Sequence, residues 1–208
     1  TGATRAQWQQ VFSTELNDKP VKGIIVTHMH PDHIGQAGWL CEQWQAPLYM
    51  SQSEYEHAKL AYAPAGESHI TETLSFYLQF GLNKEEALNR ATLWTQRRWP
   101  IASLPEQYIE LRHGDRINIA GNSWQILVGR GHSPEHLCFY SESLQLLLSG
   151  DQILPEITSN VSVYPGILDQ NPLCQWLASL RQFFDLPDST LVLPAHNQPF
   201  YGLHARAK

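Results

Sequence analysis

Cysteine is scarce in this 208-residue chain, and the three present, Cys41, Cys138 and Cys174, are nowhere spaced as C-x-x-C. Each sits among apolar neighbours. They read as buried free thiols of a reducing compartment rather than as disulfides, metal ligands or nucleophiles. Long apolar runs are also missing. None could span a bilayer, and no stretch of the residues present has the make-up of a signal peptide. Positive charge is outweighed: 14 Lys and Arg against 20 Asp and Glu leave a formal charge of −6. That balance, with no basic stripe, argues against a nucleic-acid partner. No internal repeat or low-complexity segment stands out. With 42% hydrophobic and 16% charged residues, the composition fits one soluble domain with a sizeable core, expected in the cytoplasm.

What is present alternates between two periods. Ala6 to Phe12 reads as a short helix, Val21 to Val26 as a buried strand, Ile34 to Trp44 as a helix and Pro47 to Met50 as a strand. This order is typical of α/β layering. From Ser53 to Arg98 the spacing predicts about three helices, separated near Gly66 and Gly81 and closed by Trp99-Pro100. Ser53-Glu54-Tyr55-Glu56 fits a capping box, and Asn83 to Glu86 a relaxed one. This insertion is a candidate lid or pocket wall. Short strands follow at 108–111, 116–119, 124–128, 137–140 and 144–148. Pro172 to Leu186 reads as an amphipathic helix, with Leu173, Trp176, Leu177, Leu180, Phe183 and Phe184 on one face. Leu191-Val192-Leu193 reads as a last strand.

The most informative stretch is Thr27-His28-Met29-His30-Pro31-Asp32-His33, three imidazoles and a carboxylate straight after Gly23-Ile24-Ile25-Val26. Neutral imidazole and carboxylate are the ligands that zinc and similar metals prefer, and core packing has no use for such a cluster. Three further polar residues end apolar runs beside Gly or Pro: His132, Asp151 and His196. Strand ends are where loops converge to form sites, so these seven residues are expected to meet at one sheet edge. His136 starts a strand and reads as a support to the ligands rather than a ligand. The remaining histidines read as surface residues.

His28-x-His30-x-Asp32-His33, followed in order by His132, Asp151 and His196, resembles the metallo-β-lactamase-fold superfamily of hydrolases. The resemblance implies an α/β fold, a four-layer αββα sandwich, with two metals at one edge. It implies His28, His30 and His132 on one metal, Asp32, His33 and His196 on the other, and Asp151 bridging both. The metals implied are two zinc ions, with iron or manganese as substitutes. Two metals about 3.5–4 Å apart can share a hydroxide, and zinc lowers the pKa of bound water to roughly 7. The neutral imidazoles and two carboxylates would leave the site at about +2, favouring anionic substrates and transition states. Asp32 has a second candidate role as a proton shuttle, alongside Asp151 as the other catalytic carboxylate.

Asp151 narrows the resemblance. True β-lactamases of this fold usually carry Cys or Ser there, whereas bridging Asp is typical of glyoxalase II-like thioesterases, lactonases and RNA-processing members. Acyl-homoserine lactonases commonly place Tyr three residues later; this chain has Leu154. The segment Gly150 to Pro165 resembles a bacterial glyoxalase II-like group. The expected substrate is therefore a thioester or other small acyl ester, with no nucleic acid and no membrane. The alternatives are a phosphodiesterase or ribonuclease of the same fold, a mononuclear-iron sulfur dioxygenase-like oxidoreductase, or a binding module. Asn160, Tyr164, Trp94 and Trp99 are candidates for a substrate cleft and equally candidates for ordinary packing. Arg97 and Arg98 can simply complement a helix dipole.

Family members carry Asp-Thr-Gly before the first helix, and this chain begins Thr1-Gly2-Ala3. The expectation is a single domain over residues 1–208 that lacks its first strands. Relatives also often continue past the position of Lys208 into a small winged-helix-like domain.

Overall fold

The structure, a computed structural model, describes residues 2–17, 19–62, 67–96, 101, 103–165 and 171–208. Two sheets lie at its centre. One has three short parallel strands in the order β1 (Ile24–Ile25), β2 (Leu48–Met50), β3 (Ile109–Glu110). The other has five: β4 (Arg116–Ile119), β5 (Asn122–Gly129), β6 (His136–Ser141), β7 (Leu146–Gly150) and β8 (Leu191–Pro194). Strands β4 to β7 form an antiparallel meander, and β8 lies parallel to β7. Strands β5, β7 and β8 therefore run the same way and end at the same edge.

Alternation of side chains along the strands separates three cores. In β5 to β7, Leu127, Cys138, Tyr140 and Leu147 face outward onto Leu180, Phe183 and Leu203. Those three come from α7 (Pro172–Leu180), the 3₁₀ turn Arg181–Asp185 and α8 (Leu203–Ala207). Ile126, Leu137, Phe139 and Leu148 face the other way and meet Tyr49 of β2 between the sheets. Beyond the first sheet, Ile24, Leu48 and Met50 are covered by Phe12, Leu40, Tyr55 and Ala58. These come from α1 (Gly2–Thr14), α3 (Ala37–Trp44) and α4 (Gln52–Tyr62). The layers are thus helix, sheet, sheet, helix. Full burial of a side chain such as Phe183 contributes about 1.5–3 kcal/mol.

The helical insertion forms as α4, α5 (Glu67–Gln79) and α6 (Lys84–Gln96). Helices α5 and α6 pack together. Phe76, Ala87 and Ala91 are buried there, while Phe80, Leu88 and Leu93 stay exposed. Asn83 caps α6, its Oδ1 accepting from the Glu86 N–H at 2.9 Å. The capping box at Ser53 does not form, because α4 starts at Gln52 and leaves Ser53 inside the helix. Gly66, Arg97, Arg98, Trp99 and Pro100 lie outside the described residues.

Three further expectations need correction. The helix expected over 172–186 stops at Leu180 and tightens into the 3₁₀ turn, and only part of its apolar face is covered. Trp176, Leu180 and Phe183 pack inward, but Leu173 and Leu177 are 55% and 50% exposed. Cys174, on the same outer face, is exposed rather than buried; Cys41 and Cys138 are buried, and all three are free thiols. His57 and His204 are half-buried, held by the carbonyls of Ser53 and Leu186, rather than surface residues. Among the described residues ahead of Ile24 there is one helix, α1, and no strand.

Candidate metal centre

His28 and His30 lie in the turn after β1, and Asp32 and His33 on the short helix α2 (Pro31–Ile34) that Pro31 starts. Proline suits that first position because its missing N–H has no partner there in any case. His132 lies three residues after β5, Asp151 directly after β7 and His196 two residues after β8. The Leu137 N–H donates to the Thr27 carbonyl at 2.8 Å, joining the end of β1 to β6 of the other sheet. All seven residues thus reach one edge.

Two glycines allow the loops to close. Gly131 has φ +93° and has Pro172 and Trp176 against the position a Cβ would take. Gly150 has φ +52° and lies against the His136 ring. Positive φ and crowding together require glycine at both.

The ligand-type atoms form two groups, His28, His30, His132 and Asp151 in one and Asp32, His33 and His196 in the other. In the first, His28 Nε2 lies 3.0 Å from His30 Nδ1 and 3.1 Å from His132 Nε2. His132 Nδ1 faces the Asn160 carbonyl at 2.9 Å, so it carries the proton and Nε2 presents its lone pair. In the second, Asp32 Oδ2 lies 3.5 Å from both His33 Nε2 and His196 Nε2. Asp151 stands between the groups. Its Oδ2 is 3.4 Å from His132 Nε2, and its Oδ1 is 3.4 Å from both His33 Nε2 and His196 Nε2.

In the first group His28, His132 and Asp151 are buried and His30 is half-buried, whereas the side chains of His196 and Asp32 are 42% and 59% exposed. Solvent therefore reaches the centre over the second group. Burial, reinforced by neighbouring imidazoles, holds His28 well below the usual histidine range; burial and His132 bring His30 to about 4. Both rings are neutral at pH 7 and free to ligate. Burial alone pushes the Asp151 carboxyl up, but the imidazoles of His132 and His33 outweigh it and hold the group far below the usual carboxylate range.

These residues fit a metal. His33 Nε2 and Asp151 Oδ1 are buried without a hydrogen-bond partner, which is costly unless a cation satisfies both. The convergence of neutral ring nitrogens on His28 Nε2 and Asp151 Oδ2 leaves more lone pairs than protons, and a divalent ion resolves that.

Of the remaining candidates, His136 is fully buried, and its Nε2 accepts from the Asp151 N–H at 3.0 Å. Asn160 is exposed, and its Oδ1 accepts from Ser162 Oγ at 2.7 Å. Its carbonyl orients His132, a contact that the residue type does not reveal. Ser159 Oγ donates to the Asp151 carbonyl, tying the same loop to the other ligand strand. Tyr164 is half-buried, with its ring 6.1 Å from that of Trp94 on α6. Glu54 is a residue of the site that sequence reasoning missed. It is buried on α4 and accepts from the Met29 N–H, Ser133 Oγ and the Glu135 N–H. Glu at that position looks like an ordinary exposed helix residue, so no local signal marks it.

Fold and site together are those of a metallo-hydrolase superfamily, with a candidate metal centre set at one edge of a layered sandwich. The chain belongs to the metallo-beta-lactamase superfamily, whose sequence profile matches residues 1–196. A beta-lactamase domain protein from Burkholderia ambifaria has a solved structure 37% identical in sequence, with TM-score 0.86 over 100% of this chain and 58% of that one. The probable metallo-hydrolase YqjP of Bacillus subtilis is 23% identical over 98% of this chain and 62% of its own length. A hydroxyacylglutathione hydrolase of Marinomonas is 24% identical over 86% of this chain and 48% of its own. This chain thus spans roughly half to two thirds of these relatives.

Proposed function

We propose that this protein hydrolyses a small thioester or other acyl ester at a centre of two zinc ions. The observation that carries this reading is the division of Asp151, with one oxygen toward each ligand group. A carboxylate so placed can bridge two ions. His28, His30 and His132 would hold one ion, and Asp32, His33 and His196 the other. When bound, the ions supply a water of lowered pKa as nucleophile and polarise the carbonyl under attack.

The chain's own groups account for the rest. His132 is kept in the ligating tautomer by the Asn160 carbonyl. Asp32, half in solvent at the open side, is placed to hold a proton for the leaving group. An alkoxide needs that proton, whereas a thiolate leaves with less help. Trp94 and Tyr164 form an aromatic wall beside the loop that carries Asn160, suited to the apolar part of an acyl group. The Asn160 side-chain NH₂ would serve a polar substituent, its Oδ1 being taken by Ser162. The relative named hydroxyacylglutathione hydrolase, a name that denotes a thioester substrate, supports the substrate class. A charge of −6 disfavours a nucleic-acid substrate. Three free thiols are consistent with the cytoplasm, and among the described residues no helix is long and apolar enough to cross a membrane.

The test is metal analysis of protein purified without added metal, followed by a screen of the metal-loaded protein against thioesters, lactones and phosphodiesters. Two zinc per chain and turnover of thioesters are expected. One iron per chain, with oxygen uptake on a persulfide, overturns the reading. So does activity confined to phosphodiesters.

A further inference from the structure

Glu54 is fully buried, and among the described residues no lysine or arginine pairs with it. Its Oε2 accepts from the Met29 N–H at 2.8 Å; its Oε1 accepts from Ser133 Oγ at 2.5 Å and from the Glu135 N–H at 2.7 Å. Met29 separates His28 from His30, and Ser133 follows His132 directly. One carboxylate therefore joins the turn after β1, in the three-stranded sheet, to the turn after β5, in the five-stranded sheet. Its helix reinforces the junction on both sides. Tyr62 Oη donates to the Met29 carbonyl at 2.7 Å, and Ser51 Oγ, just ahead of α4, donates to the Glu135 carbonyl at 3.0 Å. The backbone N–H and the carbonyl of Met29 are thus both held from α4.

The arrangement is expensive for mere packing. A buried carboxylate without a partner cation loses its hydration, and an apolar side chain of similar size would fill the space at lower cost. Burial pushes the Glu54 carboxyl up, and its three donors work the other way. Three donors converge on two oxygens, the pattern an acceptor-only carboxylate satisfies. What it secures is the mutual position of His28, His30 and His132, which no strand ladder fixes because they belong to different sheets.

We propose that Glu54 is the positioning residue of the metal centre, registering the His28–His30 turn against the His132 turn and so setting the metal affinity of that group. The proposal rests on the metal reading above. It predicts that α4 acts as part of the site without touching the metal or the substrate.

The experiment uses the full chain with Zn²⁺ and Co²⁺ as probes. Glu54→Gln keeps the volume but turns an NH₂ toward groups that are themselves donors. Metal affinity is read by competition with a chelator, ligand geometry by the Co²⁺ absorption spectrum, and fold by circular dichroism and thermal unfolding of the metal-free protein. The expected result is a folded variant in which one ion is bound about 10- to 100-fold more weakly, with an altered Co²⁺ spectrum. Ser133→Ala, which removes one of the three donors, is expected to weaken the same ion less. It provides the comparison if Glu54→Gln does not fold. Wild-type affinity and spectrum in a folded Glu54→Gln overturn the proposal and leave the metal reading standing. If Glu54→Gln does not fold, wild-type values in Ser133→Ala overturn it likewise. A wild-type protein that binds neither ion overturns the metal reading, and the proposal with it.

Discussion

The backbone N–H of Asp151 donates to Nε2 of His136 at 3.0 Å, so a histidine outside both ligand-type groups holds the peptide of the residue placed between them. Because Nε2 accepts, the ring proton sits on Nδ1, which faces Cys138 Sγ at 3.6 Å. His136→Ala leaves the Asp151 N–H buried without an acceptor. We expect a loss of about 1–3 kcal/mol in urea unfolding of the metal-free protein, with weaker metal binding on top. Unchanged stability would show that water replaces the ring without penalty.

Asp151 itself should matter to both ligand groups, because each oxygen faces a different one. Asp151→Ala is expected to lower metal content and hydrolytic activity together. Metal analysis beside an activity assay checks this; full metal content in the variant refutes a bridging role.

Acid should unfold the metal-free protein early. Burial brings His136 to about 3 and His30 to about 4, both below the ordinary histidine value of 6.5. As pH falls below 6.5 the unfolded chain takes up these protons before the folded one does. The stability present above 6.5 is therefore lost progressively as pH falls toward 4 and then 3. Thermal unfolding midpoints in chelator across pH 8 to 4 should decline below about 6.5. A rising midpoint would mean that these rings are charged in the native state.

The thiols should separate by exposure. Burial pushes the Cys138 thiol far up, and it pushes Cys41 up to a lesser extent. Cys174 is exposed on α7. Only the thiolate reacts, so one maleimide per native chain is expected by mass spectrometry and three after denaturation. Rapid native labelling of two or more would show that a core around Cys41 or Cys138 opens readily.

Much of the candidate site could be read from the chain because its ligand-type residues are local signals. His28, His30, Asp32 and His33 are adjacent in sequence, and His132, Asp151 and His196 each end an apolar run beside Gly or Pro. Strand alternation likewise shows in Ile126, Leu127 and Val128, whose neighbours divide between two cores. Glu54 was not legible. Its donors lie 25, 79 and 81 residues away, and a helical Glu has the same local appearance whether solvent or a buried turn faces it. The outward turn of Leu173 and Leu177 was hidden for a related reason: periodicity shows that an apolar face exists, and only packing shows which part of it is covered.

By itself the sequence determined the ligand types, their order and the elements that carry them, because residue chemistry and periodicity are local properties of the chain. The tertiary structure decided which Asp151 oxygen serves which group, that the Asn160 carbonyl sets the His132 tautomer, and that Glu54 joins the two turns. Those facts depend on groups brought together from distant parts of the chain, such as His28 and His132, 104 residues apart in sequence with their Nε2 atoms 3.1 Å from each other. No local pattern encodes such a distance; it follows from two sheets packing face to face and ending at one edge.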